Sequence, residues 1–178
     1  MRLGALVIAG LALLVAGAAG RDPALPHYAL EGKPTSEVHL DKAQREISGI
    51  AFTADGRLLA HGDERGIIYQ IDFPGGRVVK LFAIGDASGP LVGDFEDIQV
   101  VGDRVFLVTS AGALVEAKLG ADGATVPVVR RTRGLRGACE VEGMSWDATT
   151  SFMLLLCKEA KGKRWKDSVV ILAVDPAT

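Results

Sequence analysis

Cysteine is scarce in this chain, with two in 178 residues, and aromatic side chains make up only 6%. Two cysteines cannot staple a disulfide-dense miniprotein, and a hydrophobic fraction of 48% excludes a disordered chain. Neither sign of charge dominates: 20 Lys and Arg stand against 22 Asp and Glu, and the pI is near 5.9. No nucleic-acid partner is expected from that balance. Phosphate-binding loops, dinucleotide fingerprints, zinc motifs and the Gly-x-Ser-x-Gly elbow are missing as well. The length allows one ordinary globular domain with a sizeable core.

What is present in excess is hydrophobicity, at a mean hydropathy of +0.25, and much of it lies at the start. Arg2 precedes an uncharged run from Leu3 to Gly20 that closes on Ala16, Gly17, Ala18 and Ala19. Residues 1–20 therefore read as a secretory signal, or, uncleaved, as an N-terminal membrane anchor. No cysteine follows the run, so a lipid anchor is not expected. Residues 21–45, Pro-containing and weakly patterned, read as a linker. The remainder is expected outside the cytoplasm, periplasmic or membrane-anchored at the cell envelope, where Cys139 and Cys157 can form a disulfide. They flank a hairpin predicted from Val141 to Trp146 and Phe152 to Cys157. Trp146 facing Thr150 sets the cysteines directly opposite. Trp146 facing Phe152 leaves them diagonal, roughly 7 Å apart where a relaxed bridge needs Cβ atoms at about 4 Å, and two buried thiols are then the alternative.

The chain repeats itself. Ile47-Ser48-Gly49-Ile50-Ala51-Phe52, Phe95-Glu96-Asp97-Ile98-Gln99-Val100 and Val141-Glu142-Gly143-Met144-Ser145-Trp146 are similar, and their second positions are separated by 48 and then 46 residues. That period suits a four-stranded propeller blade. Second strands are expected at Leu58 to His61, Val105 to Thr109 and Phe152 to Cys157. Third strands are expected at Ile67 to Asp72, Ala113 to Leu119 and Val169 to Asp175, and fourth strands at Val78 to Ile84 and Val126 to Arg131. Runs of Val, Ile, Leu and Phe without helical period, punctuated by Gly-Gly, Asp-Gly and Asp-Arg, indicate sheet. Their continuity fits strands covered on both faces, whereas a β-sandwich predicts more alternation and no such repeat. The expected fold is all-β, a β-propeller of four-stranded antiparallel blades over 46–178, with blades at about 46–93, 94–138 and 139–178. The third has no fourth strand in this sequence, so the ring is incomplete at just under three blades. Closure takes about four to eight. The chain is therefore expected to be a truncated piece, or one whose ring a second chain completes in trans.

In such a blade the segments entering the first strand share one face with the connections between second and third strands. That face receives the charge: Asp94, Glu96 and Asp97; Arg133, Arg136, Glu140 and Glu142; His61, Asp63, Glu64 and Arg65; Ser110; and Lys158 to Lys166. The opposite face receives tight turns such as Asp55-Gly56 and Asp122-Gly123. Function is expected on the charged face, with Asp94, Asp97, Glu140 and Lys158 as ligand-facing residues. Glu96 and Glu142 hold the same repeat position and are expected to point toward the central channel. There they either hold a hard cation such as Ca²⁺ or accept hydrogen bonds from loop amides and pair with Arg or Lys. Ser48, at the equivalent position, offers a weaker ligand. His61, Asp63 and Glu64 are candidates for catalysis, His as base and Asp as orienter; the same residues also make a polar turn. The basic segments around Arg130 to Arg136 and Lys158 to Lys166, with Trp165, either meet an anionic ligand or lipid headgroups or are simply solvated.

The chain resembles the SdiA-regulated family of bacterial exported or membrane-associated β-propellers. The resemblance rests on Glu46-Ile47-Ser48-Gly49-Ile50-Ala51-Phe52, His61-Gly62-Asp63-Glu64-Arg65-Gly66-Ile67-Ile68-Tyr69, Gly93-Asp94-Phe95-Glu96-Asp97-Ile98, and Cys139-Glu140-Val141-Glu142-Gly143-Met144 with Cys157-Lys158. It spans about Ser36 to Thr178, and Asp97 stands where the family pattern usually has Gly. The family implies more blades than this chain contains and no particular reaction. Glu-Gly at the starts of innermost strands also gives a looser similarity to calcium-dependent lactonases and phosphotriesterases and to the esterase-like domain associated with phytases. Two functions follow as expectations. One is an exported envelope module that binds a small molecule or an envelope component, with a central Ca²⁺. The alternative is a calcium-dependent hydrolase of esters, lactones or phosphoesters, with Glu96 and Glu142 on the metal.

Overall fold

Each run of branched and aromatic residues identified in the sequence forms a strand, and each is followed by a turn that reverses it. The computed structural model describes residues 34, 36–135, 137–165 and 168–177. The expected signal or anchor and most of the linker lie outside the described residues. The first sheet runs β1 (Ile47–Phe52), β2 (Leu58–Gly62), β3 (Ile67–Asp72) and β4 (Arg77–Asp86), with a short β5 (Gly89–Pro90) beyond. The second runs β6 (Phe95–Val101), β7 (Arg104–Thr109), β8 (Leu114–Lys118) and, after β9 (Thr125–Val126), β10 (Val128–Arg131). The third has β11 (Cys139–Asp147), β12 (Phe152–Ala160) and β13 (Val170–Val174). Within each sheet consecutive strands pair antiparallel in chain order. The described residues are thus antiparallel β-propeller blades, two of four strands and a third of three.

Turn chemistry sets the hairpins. Between β1 and β2, Thr53 Oγ1 accepts the Arg57 N–H at 2.9 Å and donates to Asp55, while Gly56 takes the left-handed φ of 83° the turn requires. The expected fourth strand of the second blade is interrupted at Pro127, which has no N–H for the ladder. The piece before it, β9, pairs in parallel with β4 of the first blade, Ala83 opposite Thr125 and Ile84 opposite Val126.

Alternation assigns the core. In β7, Val105 and Leu107 pack on one side with Leu59, Ile68, Phe82 and Ile84 of blade 1, whereas Phe106 and Val108 pack on the other with Val141, Met153 and Leu155 of blade 3. The face a blade turns toward its predecessor is called leading here, and the face toward its successor trailing. Blade 2 is covered on both, which is why Val105 through Thr109 are all buried. Each such apolar side chain removed from water contributes about 1.5–3 kcal/mol.

The third hairpin adopts neither register anticipated for it. Trp146 faces Met153 and Asp147 faces Phe152. Asp147 fixes this longer turn, since its carboxylate accepts the Thr149 N–H at 2.9 Å and the Thr150 hydroxyl at 2.6 Å, and Ser151 takes a φ of 60°. Bulges on either side of Val141 then shift the ladder. Cys139 lies opposite Ala160 and Cys157 opposite Val141, yet the two cysteines are joined in a disulfide with their Cα atoms 5.6 Å apart.

Candidate binding mouth on the inner strands

The innermost strands β1, β6 and β11 share a departure from regular pairing. Each ladder skips one residue at the same repeat position: Ser48 between Ile47 and Gly49, Glu96 between Phe95 and Asp97, Glu142 between Val141 and Gly143. A bulged residue leaves the ladder and its side chain is re-aimed. Glu96 and Glu142 therefore stand out from the strands at the mouth, where β6 and β11 begin. The blades are fastened together just there: the Phe95 N–H donates to the Asp63 carbonyl at 2.7 Å, and the Val141 N–H, at the equivalent position, to the Ser110 carbonyl at 2.9 Å.

Around the two bulged glutamates the sequence places further charge. Lys158, near the end of β12, donates to Glu142 Oε1 at 2.9 Å and lies 3.7 Å from Glu140 Oε1. Its ammonium is held above the ordinary lysine range by the Glu142 hydrogen bond, then by the charges of Glu142 and Glu140. Asp94 accepts the Ser110 hydroxyl at 2.5 Å. Among the described residues no cation pairs with Glu96, and its carboxyl is pushed up by partial burial, then by the charges of Glu142 and Asp94, with Lys158 opposing. Among the described residues, Asp94, Glu96, Glu140 and Glu142 against the Lys158 ammonium leave this mouth electronegative.

Asp97 has a role its residue type did not announce. Its Oδ1 accepts the Ile98 N–H at 2.8 Å and its Oδ2 the Met144 N–H of the next blade at 2.6 Å. It is a tie between inner strands, half-buried, with its carboxyl raised by burial and lowered by those two N–H groups. Gly49 makes this possible from the other side. A Cβ there would stand 2.7 Å from His61 Nε2 and 2.8 Å from Asp97 Oδ1. The glycine of the first repeat is thus the gap into which a histidine and an aspartate from two blades project.

His61 belongs to that gap. It lies in β2 on the trailing face, wholly buried, edge-on to the Phe95 ring at 6.5 Å. Its Nδ1–H donates to the Gly62 carbonyl at 2.7 Å, and among the described residues Nε2 has no partner. Burial holds the imidazole below its ordinary value, against the Gly62 bond and the charges of Asp97 and Asp63. The imidazole is closed off from solvent in this structure. Asp63 and Glu64 act through their carbonyls, which accept the Phe95 and Gly93 N–H groups and dock the β2–β3 connection onto the segment that begins blade 2. The structure therefore gathers Asp94, Glu96, Glu140, Glu142 and Lys158 at one mouth, and separates His61 from it. The signal for the missed inter-blade tie was Asp97 itself, a charged residue where the other two repeats have Gly49 and Gly143.

Among the described residues no group of three or more His, Cys, Asp or Glu side chains is arranged to hold a metal ion, and no helix is long and apolar enough to cross a membrane. No family model matches the chain, and neither does any curated protein. Among solved structures the chain is similar to the β-propeller domain of Cps50 (Swd1) from Myceliophteria thermophila, at 17% identity and a TM-score of 0.43 over 71% of this chain. The match spans 42% of the length of that domain.

Proposed function

We propose that this chain is an exported β-propeller module of the SdiA-regulated type that engages a small molecule or an envelope component through its inner-strand mouth. The observation that carries the reading is the repeat-matched pair of bulged glutamates, Glu96 and Glu142, with Lys158 bound to the second. Such a face favours a cationic group that competes with the Lys158 ammonium. The Cys139–Cys157 disulfide supports an oxidising, extracytoplasmic setting.

Calcium fits the chemistry of the donors, which are all oxygen, but not their present engagement. Both oxygens of Asp97 accept backbone N–H groups, and Glu142 is held by Lys158. A Ca²⁺ ion at this mouth requires Lys158 to release Glu142 and needs oxygen ligands beyond Glu96 and Glu142. Thermal shift with Ca²⁺ and with chelator tests this directly. Calcium raises the melting temperature of the wild type, raises it more in Lys158→Gln, and leaves Glu142→Gln unmoved. No calcium shift in either wild type or Lys158→Gln removes the metal from the reading. Turnover of an ester, lactone or phosphoester panel that Glu142→Gln abolishes replaces the binding module by the hydrolase.

A further inference from the structure

Blade 3 departs from the other two where β11 meets β12. In blades 1 and 2 the first hairpin skips a residue on its inner strand alone, Ser48 or Glu96, while the second strand runs without a break to Gly62 or Thr109. In blade 3 both strands skip: Glu142 falls between Val141 and Gly143 on β11, and Lys158 falls between Cys157 and Glu159 on β12. The two displaced residues are joined to each other, Lys158 Nζ donating to Glu142 Oε1 at 2.9 Å. The second skip coincides with the disulfide. Cys157 is the last β12 residue before it, and Cys139 lies two rungs beyond, opposite Ala160.

The bridge accounts for that skip. With Lys158 in the ladder, Glu140 would face Lys158 and Cys139 would face Glu159, diagonal to Cys157. Diagonal neighbours stand roughly 7–8 Å apart, whereas a disulfide takes Cα atoms at about 4.4–6.8 Å. A bulge bends its strand and tightens the local twist, and with Lys158 out of the ladder the two Cα atoms are 5.6 Å apart. Both cysteines are 3% exposed and pack with Val141 in the apolar cluster between blades 2 and 3, so the bridge is anchored on that side.

We propose that the Cys139–Cys157 disulfide positions Lys158 at the mouth: by keeping it out of the β12 ladder the bridge holds the ammonium on Glu142, and reduction of the bridge returns Lys158 to the ladder opposite Glu140. In that step a dithiol gives two electrons and two protons, the S–S bond is replaced by two thiols, and the dithiol closes to its own disulfide. Glu142 then stands with Glu96 at the mouth without its ammonium. The consequence for ligands rests on the cation-binding function proposed above. The oxidised mouth carries its own cation on Glu142, and the reduced mouth takes one from solution.

Exchange equilibria with dithiothreitol on the full chain test the positioning, because coupling is reciprocal: what the bridge does for the Lys158–Glu142 pair, the pair does for the bridge. Glu142→Gln removes the partner that the oxidised chain gives Lys158 and makes the bridge about threefold easier to reduce, the worth of one exposed ion pair. Glu140→Gln removes the partner that Lys158 takes in the reduced chain and shifts the exchange the other way. Cross-strand NOEs read the register: Glu140 contacts Glu159 in the oxidised chain and Lys158 in the reduced one, which keeps the wild-type circular dichroism. Shifts of the same sign in the two glutamate variants, no shift in Glu142→Gln, Glu140 still facing Glu159 after reduction, or a reduced chain that loses its strand signal overturns the proposal. The calcium thermal shift separates this from the cation-binding function. Reduced wild type shows the larger rise expected of Lys158→Gln, and a rise in Lys158→Gln that reduction fails to reproduce also overturns the proposal. Calcium that moves no form removes the cation and leaves the exchange and register results to decide the positioning by themselves.

Discussion

Gly49 and His61 show how much of this fold is decided by individual side chains that meet between blades. Gly49→Ala drives a methyl group into His61 Nε2 and Asp97, and against the Asp97 Cα at 3.0 Å, where backbone must shift. The expected loss is about 1–3 kcal/mol by urea unfolding. Gly143→Ala is the matched control, since its Cβ meets nothing closer than Leu156 Cβ at 3.5 Å, and stays within about 0.5 kcal/mol of wild type. Equal losses at the two positions refute the account of the gap. His61 gives the pH dependence. Its folded value lies below the ordinary 6.5, so the unfolded chain binds more protons there, and stability is lost as pH falls below about 6.5 toward the folded value. Asp97 and Glu96, both raised, act in the opposite sense and favour the folded chain at acid pH. His61→Val, which installs the residue that blade 2 carries as Val108, flattens the fall between about pH 7.5 and about 5.5. A slope unchanged by the substitution assigns it elsewhere. Composition and spacing placed His61 at the end of a strand on the charged face, as a catalytic candidate or part of a polar turn. They could not show its burial, because that depends on Gly49 and Phe95 in other strands.

At the scale of the element, the third hairpin has most to lose. Its two strands are joined by a disulfide across a sequence separation of 18 residues, and β13 is its outermost strand among the described residues. Replacing both cysteines by Ala removes the constraint on the unfolded chain, at a cost of roughly 3 kcal/mol, read as a lower urea midpoint than the oxidised wild type shows. Midpoints that coincide contradict the stabilising role. The strands themselves were legible in the sequence to within a residue or two, save β12, which runs three residues past Cys157, since branched runs and Gly or Asp turns are local signals. Register was not. Bulges at Ser48, Glu96 and Glu142, the turn held by Asp147, and the break at Pro127 each move a ladder by an amount no periodicity encodes. The one trace of the bulges in the sequence is the small residue after Ser48 and Glu142.

For the molecule as a whole, coverage grades stability from the centre outward. Among the described residues blade 2 packs against another blade on both faces, blades 1 and 3 on one each, so opening free energies differ along the chain. Amide hydrogen exchange is slowest in β7 and β8 and fastest in β13 and β1, and uniform protection across the three sheets argues against this gradient. The same asymmetry explains why the repeat could be seen in the sequence while the tie through Asp97 and the parallel contact of β9 could not: the first recurs and the others occur once.

That parallel contact has a consequence for how the molecule can be inherited or rebuilt. The rim of blade 1 takes its last ladder partners from residues that lie inside blade 2, and the Leu81 N–H reaches Asp122, 41 residues further along. A cut at the boundary between the first two repeats therefore tears an edge on each side. A cut ahead of Cys139 parts no ladder pair, only single bonds such as Asp97 to the Met144 N–H and Arg130 to the Pro176 carbonyl. The unit that can be duplicated, permuted or grafted is the first two blades together, not the single repeat.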